Sequence, residues 1–251
     1  MTTRKTPPHV EEGLSGMKQT IDQLVTFIRE SVEGARAKGA VVGVSGGLDS
    51  AVVLGLCKLA LPNGTLGLIL PCYSDPVDKE LALRVIRKFD VPHREVVLDR
   101  AYDEMMNVLG ESPSRLAMAN VKVRLRMIAW YYFANTHNYL VVGTSNKAEL
   151  TMGYFTKYGD GGTDIVPLAR LAKCQVREMA HLVGVPEEII DRPPTAGLWP
   201  GQTDEGEMGI TYSEIDRYLL TGEASPQTRA IIEKRRAGAV HKMHPPVLPP
   251  E

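Results

Sequence analysis

Gly43-Val-Ser-Gly-Gly-Leu-Asp-Ser50 most constrains what this chain can fold into. It follows a short apolar run of strand length, Ala40 to Val44, and leads into the helical spacing of Val52, Val53, Leu56 and Leu59. Strand, glycine turn and helix therefore stand in succession. The alternation continues. Thr65 to Leu70 reads as a second strand, Asp75-Pro76 opens a helix, and Glu95 to Leu98 reads as a third strand. A long helix over 114–137 then feeds a fourth strand from Tyr139 to Gly143. Strands alternating with helices imply right-handed βαβ units, hence an α/β fold with a doubly wound parallel sheet and helices on both faces.

Around that frame, Leu14, Met17, Ile21, Leu24, Ile28 and Val32 predict an amphipathic helix over 14–37, ended by Gly39. From Thr151 to Gly209 glycine and proline cluster, and only Lys173 to Gly184 reads firmly as a helix. Thr211 and Glu214 form a capping box for a helix to Leu220, and Ser225-Pro226 opens another to Arg236. Residues 1–13 read as a flexible arm and 238–251 as a Pro-rich tail with a hinge at Gly238. A length of 251 residues suits one domain.

A net charge of −1 gives no global electrostatic reason to bind nucleic acid or an anionic membrane. No apolar run reaches the ~18 residues of a spanning helix, and the N-terminus carries no secretory pattern. Cys57, Cys72 and Cys174 form no metal or disulfide spacing, which fits reducing cytoplasm.

The chemistry is concentrated in the glycine turn. Successive backbone N–H groups at a helix start make an anion site, and the glycines let the backbone approach phosphates. Ser45 and Ser50 add hydroxyls, and Asp49 is a hard oxygen ligand suited to Mg²⁺. No lysine occurs between Lys38 and Lys58, so this is not the Walker A loop, and kinase or GTPase readings fall away.

The segment resembles the PP-loop of the ATP pyrophosphatase superfamily, which cleaves ATP between the α and β phosphates and adenylates a substrate oxygen. Gly143-Thr-Ser-Asn-Lys-Ala-Glu149, Gly153-Tyr-Phe-Thr-Lys-Tyr-Gly-Asp-Gly161, Arg192 to Glu205 and His241-Lys242 together resemble the ammonia-dependent NAD synthetases, over most of the chain. The resemblance implies an adenine nucleotide alpha hydrolase-like fold. It also implies a ligase that amidates deamido-NAD with ammonia to give NAD, through a deamido-NAD adenylate, releasing AMP and pyrophosphate. By position it places ATP on Gly43, Val44, Ser45, Gly46, Gly47, Leu48, Asp49, Ser50, Thr144, Lys173 and Thr195. Asp49 and Glu149 become the Mg²⁺ pair, and Arg124, Lys157, Asp164, His241 and Lys242 become contacts for deamido-NAD. Asp49, Lys173 and Asp160 are the expected catalytic residues, Asp160 on the ammonia side.

The resemblance further implies a homodimer, with Met127, Trp130 and Tyr131 expected in the subunit contact, and ammonia as donor because no glutaminase domain fits in this length. Two other readings compete: another PP-loop adenylating amidotransferase or thiolase, and an ATP-binding regulatory module without turnover. A thiolase would want cysteine pairs and a basic face, and an intact Asp49 and Glu149 pair argues against a mere binder. At the residue level, Glu149 also suits a helix start, and spacing alone does not choose between Arg124 and Arg126. His241 in a Pro-rich tail reads as idle surface without the resemblance. Ile69-Leu-Pro-Cys-Tyr-Ser-Asp-Pro76 departs from the Arg-Leu-Pro-Tyr-Gly type segment of family members, which puts adenine contacts there in doubt.

Overall fold

The computed structural model describes residues 8–110, 112–199, 201–246 and 248–249. Its centre is a four-stranded sheet of β1 (Gly39–Gly43), β2 (Thr65–Ile69), β3 (His93–Glu95) and β4 (Tyr139–Val142). The order is β3-β2-β1-β4 and every pairing is parallel, with Val41 of β1 opposite Leu66 on one side and Val141 on the other. Chain progress reverses beside β1, so a crevice opens at the carboxyl ends of β1 and β4, where open α/β sheets hold their ligands.

The helices follow in chain order: α1 (Pro8–Gly34), α2 (Leu48–Ala60), α3 (Pro76–Phe89), α4 (Asp99–Leu109), α5 (Arg115–His137), α6 (Lys147–Met152), α7 (Lys173–Val183), α8 (Glu187–Ile190), α9 (Asp204–Met208), α10 (Tyr212–Thr221) and α11 (Pro226–Met243). Strand alternation decides which helix covers which face. Ala40 and Val42 enter the core made with α1, α2, α3 and α7. Val41 points the other way, into a core completed by Leu68, Leu98, Ala134 and Val141 under α5. A third, smaller core of Ala148, Met152, Met208, Ile215 and Ile232 ties α6, α9, α10 and α11 together.

Local signals act where the sequence places them. Asp75 accepts from the Val77 N–H at 2.9 Å to start α3, Ser114 from Ala117 at 3.2 Å to start α5, and Thr211 and Glu214 close their capping box. Other expectations need correction. The third strand is His93–Glu95, ahead of the expected Glu95 to Leu98, because Leu98 turns into α4, a helix the sequence reading missed. Residues 8–13 belong to α1, and 1–7 lie outside the described residues. The last helix runs to Met243, so Gly238, His241 and Lys242 are helical; the non-helical tail begins at His244, and no hinge exists at Gly238. Among the described residues no helix is long and apolar enough to cross a membrane.

Candidate active site

The crevice is a cavity of about 660 Å³ over the ends of β1, β2 and β4. Its floor is the loop after β1. Gly46 has φ +83, and a Cβ there would lie 2.3 Å from the Asp78 carbonyl oxygen, so only glycine makes this turn. A Cβ on Gly43 would strike the Trp130 indole at 2.7 Å. The hydroxyls tie the loop to itself: Ser45 and Ser50 Oγ lie 3.0 Å apart, Ser50 donates to the Gly47 carbonyl at 2.9 Å, and the Ser45 N–H donates to Ser50 Oγ at 3.2 Å.

Above the loop stands a buried charge cluster. Asp49, in the first turn of α2, receives hydrogen bonds from the Lys173 ammonium and from Asn146 Nδ2, the latter at 3.2 Å. Lys173 Nζ is also 3.7 Å from Glu149 Oε1. Glu149 is fixed by a reciprocal capping box with Asn146 at the start of α6. The Tyr212 hydroxyl donates to Asp204 Oδ2 at 3.0 Å and lies 3.3 Å from Glu149 Oε1. Burial, then the neighbouring Asp49 charge, raises the Glu149 carboxyl well above the usual carboxylate range. Burial works against the Lys173 ammonium, but Asp49 and Glu149 outweigh it and hold its proton more tightly than usual.

These groups have the chemistry of a hard-cation site. Asp49 and Glu149 converge, and Asp204 Oδ1 is a buried oxygen with no partner. Among the described residues no three ligating side chains gather around one point, so a cation here would draw further oxygens from a bound phosphate.

The far wall comes from 153–160, α5 and α11. Asp160 Oδ1 accepts the Thr156 N–H at 2.7 Å, and burial raises its carboxyl above the ordinary value, against the pull of that bond and of the Lys242 and Arg126 charges. Lys242 donates to the Gly153 and Phe155 carbonyls at 2.8 and 2.9 Å, and Lys157 to the His241 carbonyl at 2.6 Å. Arg124 donates to the Lys157 carbonyl at 3.3 Å. Residues 192–198 and Gln202 also line the cavity, held by an Arg192–Asp78 ion pair of 2.6 Å and by Lys122 donating to the Leu198 carbonyl at 3.1 Å.

Of the residues expected from the sequence, Gly43, Val44, Ser45, Gly47, Leu48, Asp49, Ser50, Thr144, Glu149, Lys173, Thr195, Asp160, Arg124, Lys157, His241 and Lys242 all line this cavity. Gly46 shapes the turn behind it. Asp164 is not brought there: its two oxygens accept the Val141 N–H at 2.7 Å and the Tyr131 hydroxyl at 3.0 Å, tying the chain to β4 and α5. Sequence reasoning missed Asn146, Asp204 and Tyr212, whose convergence depends on α6, α9 and α10 packing together. It also left Arg126 unassigned.

A family model described as NAD synthase matches residues 20–243. The NH(3)-dependent NAD(+) synthetase of Carboxydothermus hydrogenoformans is 46% identical over 92% of this chain and 97% of its own. Among solved structures, the NMN synthetase of Francisella tularensis superposes with a TM-score of 0.89 at 38% identity, covering 93% of this chain and 98% of that one. The NH3-dependent NAD synthetase of Campylobacter jejuni, solved with nitrate, gives 0.78 at 28% identity over 93% and 99%.

Proposed function

The chain belongs to the NAD synthase family, and from that premise we propose how its cavity performs the family's reaction. It is a ligase that uses ATP and ammonia to convert deamido-NAD to NAD through a deamido-NAD adenylate, with AMP and pyrophosphate released. The observation that carries this reading is one cavity joining the glycine loop of β1, the Asp49–Lys173–Glu149 cluster and Asp160.

In our reading, the N–H groups of residues 44–50 and the start of α2 hold the phosphate chain. Asp49 and Glu149 would hold Mg²⁺, which when bound offsets the charge that builds on the transferring phosphoryl group. Lys173 adds a fixed positive charge beside the same phosphates. Thr144 and Thr195 contribute hydroxyls to the nucleotide. Arg124, Lys157, His241 and Lys242 hold the pyridine nucleotide, and Asp160 positions ammonium and takes its proton, since only neutral ammonia can attack the acyl adenylate. Residues 192–198 and Gln202 keep water from that adenylate, whose hydrolysis would waste ATP. Asp164, tied into the fold, supports the wall without touching substrate.

The enzyme works as a homodimer in the cytoplasm. The support for a dimer is an apolar face on α4 and α5; of the residues first expected in the contact, Trp130 turns inward against Gly43 and the Tyr131 hydroxyl is taken up by Asp164.

A second substrate is favoured by the close superposition on an NMN synthetase: nicotinate mononucleotide, the same carboxylate on a smaller nucleotide. One experiment tests both. Purified protein is given ATP, Mg²⁺ and ammonium with either acid, and amide, AMP and pyrophosphate are measured. NAD formed from deamido-NAD in equal amount to AMP supports the main reading. Turnover of the mononucleotide alone supports the second, and AMP formed with neither acid overturns both.

A further inference from the structure

Arg126 on α5 lines the cavity. Its Nε donates to the Leu70 carbonyl at 3.1 Å and its Nη2 to Ser74 Oγ at 3.1 Å, so the guanidinium is bolted to the end of β2. Ser74 is in turn fixed by the Cys72 N–H, which donates to Ser74 Oγ at 3.2 Å. Both acceptors are neutral. Among the described residues no carboxylate oxygen lies within 4.0 Å of this half-buried guanidinium, whereas Lys173, the cavity's more deeply buried cation, has two carboxylates. A half-buried cation held rigid on neutral acceptors, with no counter-charge, is placed to meet an anion that enters the cavity.

The nearest influences narrow which anion that is. Burial acts most strongly on Arg126 and Cys72 next; Asp160 and Asp78 then attract it through space without pairing with it, and Asp160 is the carboxylate proposed above for the ammonia side. The phosphates already have the N–H groups of the β1 loop and Lys173. The reaction also requires a second anion, the pyridine carboxylate, to be driven against the α-phosphate, and like charges must be offset for that contact to form. A guanidinium presents a planar fork that matches a carboxylate and keeps its charge at any working pH.

We infer that Arg126 is the specificity-determining residue that receives the pyridine carboxylate about to be adenylated. This rests on the amidation reading above and deepens it. It gives the enzyme a means of telling its acid substrate from its amide product: the acid pairs with Arg126, and the amide leaves that cation unmatched.

The test compares acid with amide. Affinities of deamido-NAD and NAD are measured by calorimetry in the presence of a non-hydrolysable ATP analogue, for the native protein and for Arg126→Met. The native protein should prefer the acid, and the variant should lose that preference by about tenfold or more, the scale of a charge-assisted bond. Affinity for the ATP analogue should hold. If Arg126→Met does not fold, Arg126→Lys gives the same readout, because an ammonium cannot keep both anchoring bonds and the fork. The acid and amide mononucleotides form a parallel pair for the same comparison.

An acid-to-amide ratio unchanged in the variant, with both ligands weakened equally, would make Arg126 a structural clamp and overturn the inference. So would weaker binding of the ATP analogue with the ratio intact, which would assign the anion to phosphate. Failure of the underlying reading looks different: the native protein would then make no amide from either acid.

Discussion

At the scale of single residues, the cluster around Lys173 trades stability for chemistry. Asp49→Asn keeps the shape but removes the charge that pairs with Lys173 and that the proposed Mg²⁺ site would use, so turnover should fall by about a hundredfold or more with the fold retained. Near-native pyrophosphate release by that variant would defeat the assignment. Glu149 makes the opposing point. Burial and the Asp49 charge raise its carboxyl, so the folded protein holds a proton that the unfolded chain has released. In the metal-free protein this stability is present at acid pH and is lost as pH rises from the ordinary carboxylate range through the raised folded value. Glu149→Gln removes that loss, and its amide oxygen can still accept the Asn146 N–H. Melting temperature between about pH 5 and about pH 8 should therefore fall less in the variant than in the native protein, while NAD formation drops. Parallel pH slopes in the two proteins would rule out this origin of the destabilisation.

At the scale of elements, α11 shows what the sequence hid and why. Proline and histidine after Arg236 suggest a loose tail, yet the helix continues because Ala239 packs into a space only glycine leaves open. A Cβ on Gly153, which has φ +62, would sit 2.2 Å from the Ala239 Cβ. Gly153→Ala should thus push α11 off α6 and cost about 1–3 kcal/mol, with weaker binding of the pyridine nucleotide through Lys242. Deleting 238–251 should lower the melting temperature as well as that affinity, whereas Lys242→Met, which loses only the two bonds to the Gly153 and Phe155 carbonyls, should lower the melting temperature less while still weakening that affinity. Equal melting temperatures for truncated and full-length protein would return the segment to an inert tail. The parallel sheet and the glycine turn after β1 were legible because strand runs, the Gly pair and helix caps are local signals. Asp204, Tyr212 and the extent of α11 were not, since each is set by packing between elements far apart in sequence. The helix α4 went unread for a related reason: none of its residues is buried, so tertiary packing gives its pattern no core to declare.

At the scale of the whole molecule, that exposed helix supports the proposed dimer. On α4, Met105, Val108 and Leu109 form an apolar stripe at helical spacing, with Val108 82% and Leu109 63% exposed. The neighbouring α5 adds Ile128 and Tyr132, one turn apart and 57% and 66% exposed. The two helices pack against each other, and in the proposed dimer a second copy would bury both stripes isologously. Burying such a side chain fully is worth about 1.5–3 kcal/mol, enough for a few of them to hold a dimer once the cost of association is met. The expected result is a dimer of the native protein in sedimentation at assay concentration. The pair Val108→Glu and Ile128→Glu would place like charges in the contact and should give a folded monomer, since neither side chain supports the core. Because α5 also carries Arg124 and Arg126 into the cavity, the monomer should bind the pyridine nucleotide more weakly while its ATP affinity stays close to native. A native protein that sediments as a monomer and is fully active would refute the assembly, and unchanged pyridine-nucleotide affinity in the mutant monomer would separate assembly from catalysis.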